Sequence, residues 1–156
     1  MKRLTSLLST VLLGSFTLTA FAAHTHAPTP STWALNVAAS DFGGGPTMKS
    51  DRMTILTDTE KWLKWTDVSV DGDGKTWKTS WSGPQDGTLK PVEGMEGAKA
   101  SFKTADDSSH FEMADGSTSD STLVMSPDKK TVTITSTIKT KDGKTVNQKL
   151  VYDRVK

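Results

Sequence analysis

The chain has 156 residues, no cysteine and a formal net charge of +1. Without cysteine it has no disulfides, no metal–thiolate centres and no cysteine nucleophile. A nearly neutral chain without basic clusters argues against nucleic acid and anionic membranes as partners. The length is enough for one domain with a modest hydrophobic core.

Residues 1–22 have the pattern of a secretory signal peptide. Lys2 and Arg3 give a positive start, residues 4–21 are mostly apolar or small, and residues 20–22 read Ala-Phe-Ala, a small-x-small cleavage signal. The apolar run is short and has no basic stop-transfer flank, so a cleaved signal is preferred to a membrane anchor. We therefore expect export to the periplasm or the extracellular space, with no membrane span.

Residues 23–31 are a polar, proline-containing leader that we expect to be flexible. His24 and His26 lie beside the new amino terminus at Ala23 that cleavage would create. Amine, amide and imidazole nitrogens in this arrangement can bind Cu(II) or Ni(II). An ordinary polar leader is the preferred interpretation of the two histidines, and the sequence alone does not decide whether they bind a metal.

The domain predicted over residues 32–156 consists of short runs separated by turn residues, which is typical of an all-β sandwich or barrel. Residues 32–42 fit neither the helical nor the strand period. Residues 57–66 begin like a helix capping box, but no helical pattern follows, and a strand is preferred. The short connections indicate eight to nine strands, each antiparallel to its sequence neighbours. We predict a single antiparallel up-and-down barrel, because closure removes both open edges; a β-sandwich is the alternative.

The last hairpin carries the sharpest structural prediction. Residues 131–138 and 145–154 both alternate apolar and polar side chains. A three-residue loop that ends at Gly143 places Ile138 opposite Val146 and aligns the remaining apolar positions, whereas a two-residue turn opposes apolar with polar residues. A type I turn closed by a left-handed residue needs glycine at the third loop position. Both criteria predict the three-residue loop.

Three stretches resemble small exported bacterial proteins that are usually described as lipocalin-like and uncharacterised. They are Thr-Trp-Ala-Leu-Asn with Ser-Asp-Phe in residues 32–42, the turn and strand of residues 73–87, and the ending, residues 126–154. The resemblance covers nearly all of the predicted domain and implies a lipocalin-like β-barrel, without implying an activity.

The same resemblance implies a structural floor for the barrel. Lipocalins carry a Gly-x-Trp near the first strand, and its indole closes the floor beneath a basic residue of the last strand. This sequence keeps the tryptophan as Trp33, has Ser31 in place of the glycine, and ends its last strand at Arg154. The resemblance therefore implies that Trp33 packs at the closed end with Arg154 within cation–π reach.

The tryptophans are the most unusual feature of the composition. Trp62, Trp65, Trp77 and Trp81 fall in one predicted hairpin. Trp62 and Trp65 have opposite parity along a strand, so at least one of the four should be partly exposed or lie against another element. Core packing explains such a cluster, and an aromatic wall for an apolar or sugar ligand is the functional interpretation.

Two further patterns give weak signals. His110 is the only histidine of the predicted domain, and no Gly-x-Ser-x-Gly elbow accompanies it, which disfavours a hydrolase. Asp71-Gly72-Asp73-Gly74 resembles the start of a calcium loop, but Lys75 stands at the third ligand position and the distal glutamate is missing. A hairpin turn is the preferred interpretation, and we predict no catalytic or metal site and no cofactor.

We therefore expect a monomeric, non-enzymatic binding protein that holds a small apolar or amphipathic molecule in its barrel. The alternative is a surface module whose exposed tryptophans bind a polysaccharide or a protein. The candidate ligand-binding residues are Trp62, Trp65, Trp77, Trp81, Gln148 and Tyr152.

Overall fold

A computed structural model describes residues 25–155, so the predicted signal peptide and His24 lie outside the described residues. The described residues form one antiparallel sheet and contain no helix long and apolar enough to cross a membrane. The strands are β1 (Ser31–Leu35), β2 (Met48–Asp58), β3 (Trp62–Asp71), β4 (Thr76–Pro84), β5 (Lys90–Pro91), β6 (Lys99–Lys103), β7 (Ser108–Glu112), β8 (Thr118–Met125), β9 (Thr131–Lys139) and β10 (Thr145–Arg154).

The sheet curls into a nearly closed barrel in the order β4-β3-β2-β1-β10-β9-β8-β7-β6-β5. The all-β, up-and-down prediction is confirmed. β1 pairs with β10, with Trp33 opposite Arg154, so the first and last strands are joined along a ladder. The remaining seam lies between β4 and β5, where Ser80 and Glu93 exchange backbone hydrogen bonds of 3.1 and 2.9 Å.

The strand count is ten, against a prediction of eight to nine. The additional strand is β1, in the segment where neither period was clear. Its two fully buried side chains are a serine and a tryptophan, Ser31 and Trp33. The inward serine hides the apolar alternation that marks a strand in the sequence. β3 is a strand, as preferred over the helix.

The β9–β10 hairpin has the predicted register. Val146 lies opposite Ile138, Leu150 opposite Ile134 and Tyr152 opposite Val132. Gly143 has φ +81°, in the left-handed region that the three-residue loop requires. Turn chemistry and side-chain alternation therefore suffice to fix this pair of strands.

The barrel has two different ends. Residues 25–30 enter at one end, here called the leader end, where the backbone nitrogen of Ala27 donates a 2.6 Å hydrogen bond to Asp58 Oδ2 and the His26 ring lies 3.1 Å from Asp58 Oδ1. The β3–β4 and β9–β10 turns lie at the opposite, far end.

Trp33 and Trp81 are both only 1% exposed and are among the most deeply buried side chains of the core.

Candidate ligand-binding interior

A polar cluster lines the inner wall in the far half of the barrel. The register places Met53 opposite Asp67 and Asp67 opposite Thr79, so these side chains share the inward face of β2, β3 and β4. From β10, the Tyr152 hydroxyl donates a 2.7 Å hydrogen bond to Asp51 Oδ2. The interior thus contains two carboxyl groups and a phenol, brought together from three strands.

The two carboxyl groups of this cluster interact with each other. Burial raises the pKa of Asp67 to about 8, with further contributions from hydrogen bonding to the Asp51 carboxyl group and from its charge, while Ser69 and Thr79 act in the opposite direction. Thr79 Oγ1 lies 3.5 Å from Asp67 Oδ2, the outer limit of a hydrogen bond. Burial also raises the pKa of Tyr152, with a further contribution from Asp51.

Asp51 and Asp67 are not among the ligand-binding residues that the sequence predicts. The signal was present, because Asp51 keeps the parity of Met53 and Ile55, and Asp67 keeps that of Leu63 and Trp65. An acidic residue at an inward position of an alternating strand is uncommon and points to a special role. Only the fold, however, brings the two strands and Tyr152 together.

Two of the predicted ligand-binding tryptophans lie together inside the barrel. Trp65 on β3 is directly opposite Trp81 on β4, and both are buried. Phe102 from β6 completes the cluster, with its ring centroid 4.6 Å from that of Trp81 and 6.4 Å from that of Trp65. The Trp81 indole nitrogen donates to the Ala100 carbonyl at 3.2 Å. These rings form an apolar floor below the polar cluster.

Trp77 lies on the inward parity but at the far end, and it is half-buried. Its indole nitrogen donates a 3.0 Å hydrogen bond to Asp71 Oδ2, which is the main reason why the pKa of Asp71 is lowered. Lys75 Nζ lies 3.6 Å from the centroid of the Trp77 ring. Asp71 Oδ1 accepts from the backbone nitrogens of Asp73 and Lys75, so both of its oxygens serve the hairpin turn.

Trp62 is separated from the other three tryptophans. It faces outward on β3, is 43% exposed and donates a 3.1 Å hydrogen bond to Ser82. Lys90 Nζ lies 5.4 Å from the centroid of its ring. The opposite parity of Trp62 and Trp65 predicted that at least one tryptophan would be partly exposed, and Trp62 on the outer surface is that residue.

Gln148 is buried and points into the barrel, but its side-chain amide is hydrogen-bonded to a loop. Its Nε2 donates hydrogen bonds of 3.2 Å to the carbonyl oxygens of both Phe42 and Pro46. The Gly-rich loop of residues 42–46 therefore lies against the inner side of β10. A methyl group at Gly45 would come within 2.7 Å of the Val146 side chain, so the loop is in close contact with the barrel.

Trp33 is buried in the core, whereas Arg154 is not placed over its ring. The Trp33 indole donates a 2.9 Å hydrogen bond to Ser31 Oγ and is almost fully buried. Arg154 is its partner in the register but is exposed, and among residues 25–155 the cation–π pairs are those at Trp77 and Trp62. The predicted cation–π contact between Arg154 and Trp33 is therefore not formed among the described residues.

A search against family models finds no match for this chain. A search of curated proteins also finds none. The lipocalin-like resemblance therefore remains an expectation from short motifs.

The outer wall carries one further histidine arrangement. His110 Nδ1 lies 2.6 Å from Asp120 Oδ1, and its Nε2 lies 3.8 Å from Glu112 Oε1. An open hollow of about 630 Å³ beside it is lined mainly by serine and threonine, with Leu89 and Lys103 at its rim. No described serine hydroxyl bonds to the His110 ring, and no group of three His, Asp or Glu side chains within residues 25–155 is arranged for a metal ion.

Proposed function

We propose that this chain is an exported, non-enzymatic binding protein of lipocalin-like type that holds a small amphipathic molecule inside its barrel. The single observation that carries the proposal is the division of the interior into two zones. An apolar floor of Trp65, Trp81 and Phe102 faces the same barrel interior as the polar cluster around Asp51 and Asp67. An amphipathic molecule needs both environments.

The two zones would act on different parts of the ligand. Transfer of an apolar tail from water to the aromatic floor gives most of the binding free energy, about 25 cal/mol for each Å² of apolar surface buried. Polar groups at fixed positions orient a ligand in a mostly apolar site. The cluster presents a phenol, a hydroxyl and two carboxyl groups for this purpose. The loop of residues 42–46 covers part of the far end and would have to move for a ligand to enter.

Trp fluorescence titration tests this proposal. The probes are a fatty acid, a long-chain alcohol and a long-chain amine of one tail length, with an oligosaccharide as a polar comparison. We expect saturable changes in emission with the amphipathic probes in the wild type and in Trp62→Phe, because Trp62 lies outside the barrel. Met53→Lys, which places a charge on the inward wall, should abolish the response, and Thr54→Lys on the neighbouring outward position should retain it.

The exposed Trp62 supports a second candidate, a surface module for a polysaccharide or a protein. Its ring is 43% exposed beside Lys90 and Ser82, an arrangement that can stack on a sugar. In the same titration this function predicts a response to the oligosaccharide that Trp62→Phe removes. A response lost in Trp62→Phe but retained in Met53→Lys would contradict binding in the barrel.

A further inference from the structure

The half-buried carboxyl pair has few hydrogen-bond donors around it. Asp51 Oδ2 receives the Tyr152 hydroxyl, Asp67 Oδ2 has Thr79 Oγ1 at 3.5 Å, and the Ser69 side chain also hydrogen-bonds to Asp67. The other oxygen of each group, Oδ1, is fully buried and receives no hydrogen bond from any described donor. Among the described residues, these two oxygens are the only buried side-chain polar atoms without a partner.

Within residues 25–155, no positive charge compensates the pair. Arg52 on β2 and Lys78 on the neighbouring β4 are at outward, exposed positions. The titratable groups that face Asp67 are Asp51 from β2 and Tyr152 from β10, while β4 contributes only the neutral Thr79. No ion pair of the described residues includes either carboxyl group.

Two ionised carboxylates in this position would be costly. Each would keep a charged oxygen away from water and without a donor, and the two charges would repel each other. One proton between the groups removes both problems, because the neutral acid donates a hydrogen bond to the remaining carboxylate. Pairs of carboxyl groups in enzymes share a proton for the same reason.

We propose that Asp51 and Asp67 share one proton at neutral pH, and that loss of this proton in mildly alkaline solution weakens the far half of the barrel. The shared proton is then a structural element that joins β2 to β3, while Tyr152 joins the same pair to β10. This inference does not depend on the proposed ligand. It makes the barrel responsive to pH without a histidine at the responsive site.

The direction of the effect follows from the raised pKa of Asp67. Below about pH 4, the usual pKa of an aspartate, both folded and unfolded chains hold the proton and the contribution to stability is complete. Between that pH and the folded-state pKa of about 8, the folded chain retains a proton that the unfolded chain has lost. The free energy of unfolding that Asp67 contributes therefore falls as pH rises through this window, and it is gone above it.

Urea unfolding from pH 4 to pH 9 tests the proposal with Asp67→Asn and Asp73→Asn. Asparagine at position 67 resembles the neutral acid, can donate to Asp51 and cannot ionise. We expect the difference in unfolding free energy between Asp67→Asn and the wild type to shift in favour of the variant by roughly 10²- to 10³-fold in the unfolding constant between pH 5 and pH 9. Asp73→Asn, in the exposed β3–β4 turn, should keep a constant difference from the wild type.

A spectroscopic measurement keeps the proposal testable if Asp67→Asn does not fold. In wild-type protein labelled with ¹³C at the aspartate carboxyl carbons, one aspartate should remain un-ionised at pH 7 and titrate in the mildly alkaline range. If all aspartates titrate in the ordinary acidic range, the shared proton does not exist. Parallel pH profiles of a folded Asp67→Asn and the wild type would overturn the proposal equally.

Discussion

Gly94 lies directly against the backbone of Lys78, across the β4–β5 seam that completes the barrel. It has φ +81°, and a methyl group added at its Cα would overlap the Lys78 carbonyl oxygen. The neighbouring Ser80–Glu93 bridge is the one β-bridge between β4 and the β5 segment among the described residues. Closure of the barrel therefore depends on the absence of a side chain at position 94.

This relationship predicts that Gly94→Ala destabilises the barrel much more than Gly116→Ala. Gly116 has a similar φ, +88°, but nothing within 4 Å of the added methyl group. Gly116→Ala should cost about 1–2 kcal/mol for the left-handed backbone alone. Gly94→Ala should cost about 1–3 kcal/mol more because of the overlap. Urea unfolding of both variants gives the comparison, and equal losses would show that the seam tolerates a methyl group.

Trp33→Ala should destabilise the protein strongly. The indole is 1% exposed, and its removal would leave a large cavity and an unpaired Ser31 hydroxyl. The expected loss is about 3–5 kcal/mol in the free energy of unfolding. Trp62→Ala, which removes the same side chain from the outer surface, should cost less than about 1 kcal/mol. An unchanged melting temperature in Trp33→Ala would mean that the Trp33 indole does not contribute to the packing of the core.

Tyr152→Phe removes only the hydroxyl that donates to Asp51. Because the acceptor is a buried carboxyl group, the expected loss is about 1.5–3 kcal/mol at pH 6. Asp51→Asn and the double variant complete a cycle, in which a coupling energy of at least about 1 kcal/mol is expected. Additive effects of the two substitutions would show that the hydrogen bond contributes nothing to stability.

Gln148→Leu should release the loop of residues 42–46. The change removes both amide hydrogen bonds to the loop carbonyls, with an expected cost of about 1–2 kcal/mol. The amide of Gly45, which donates to Phe42 at 2.9 Å, should exchange with solvent faster. Gln85→Leu, which removes two amide hydrogen bonds at the leader end, is the matched control and should leave Gly45 unchanged. If the Gly45 amide exchanged equally fast in both variants, the Gln148 hydrogen bonds would not be what holds the loop of residues 42–46 in place.

Local chemistry made much of the fold predictable. Gly143 and the alternation of its flanking strands determine the register of the last hairpin, since both depend on residues close in sequence. The position of the seam was not predictable, because it depends on Gly94 meeting the backbone of Lys78 across a turn-rich segment with no regular pattern. A lone glycine in a turn-rich segment does not reveal which backbone it approaches.

The candidate site was less accessible to sequence reasoning. Parity separated Trp62 from Trp65, and strand alternation placed Gln148 and Tyr152 inward. Their partners are more than 100 positions away, at Pro46 and Asp51. What an inward polar side chain does is decided by which distant strand lies opposite it, and one sequence alone does not contain that information.

The ladder between β1 and β10 has a practical consequence for protein engineering. Val155 donates a 2.8 Å backbone hydrogen bond to Thr32, so the start and finish of the barrel wall are direct neighbours. A short linker could join these positions, and new termini could be placed in the 85–89 segment at the seam. The result would be a circularly permuted chain with the same barrel wall. Such a permuted chain would move the free ends from the paired β1–β10 boundary to the seam between β4 and the β5 segment, where the described residues form a single β-bridge.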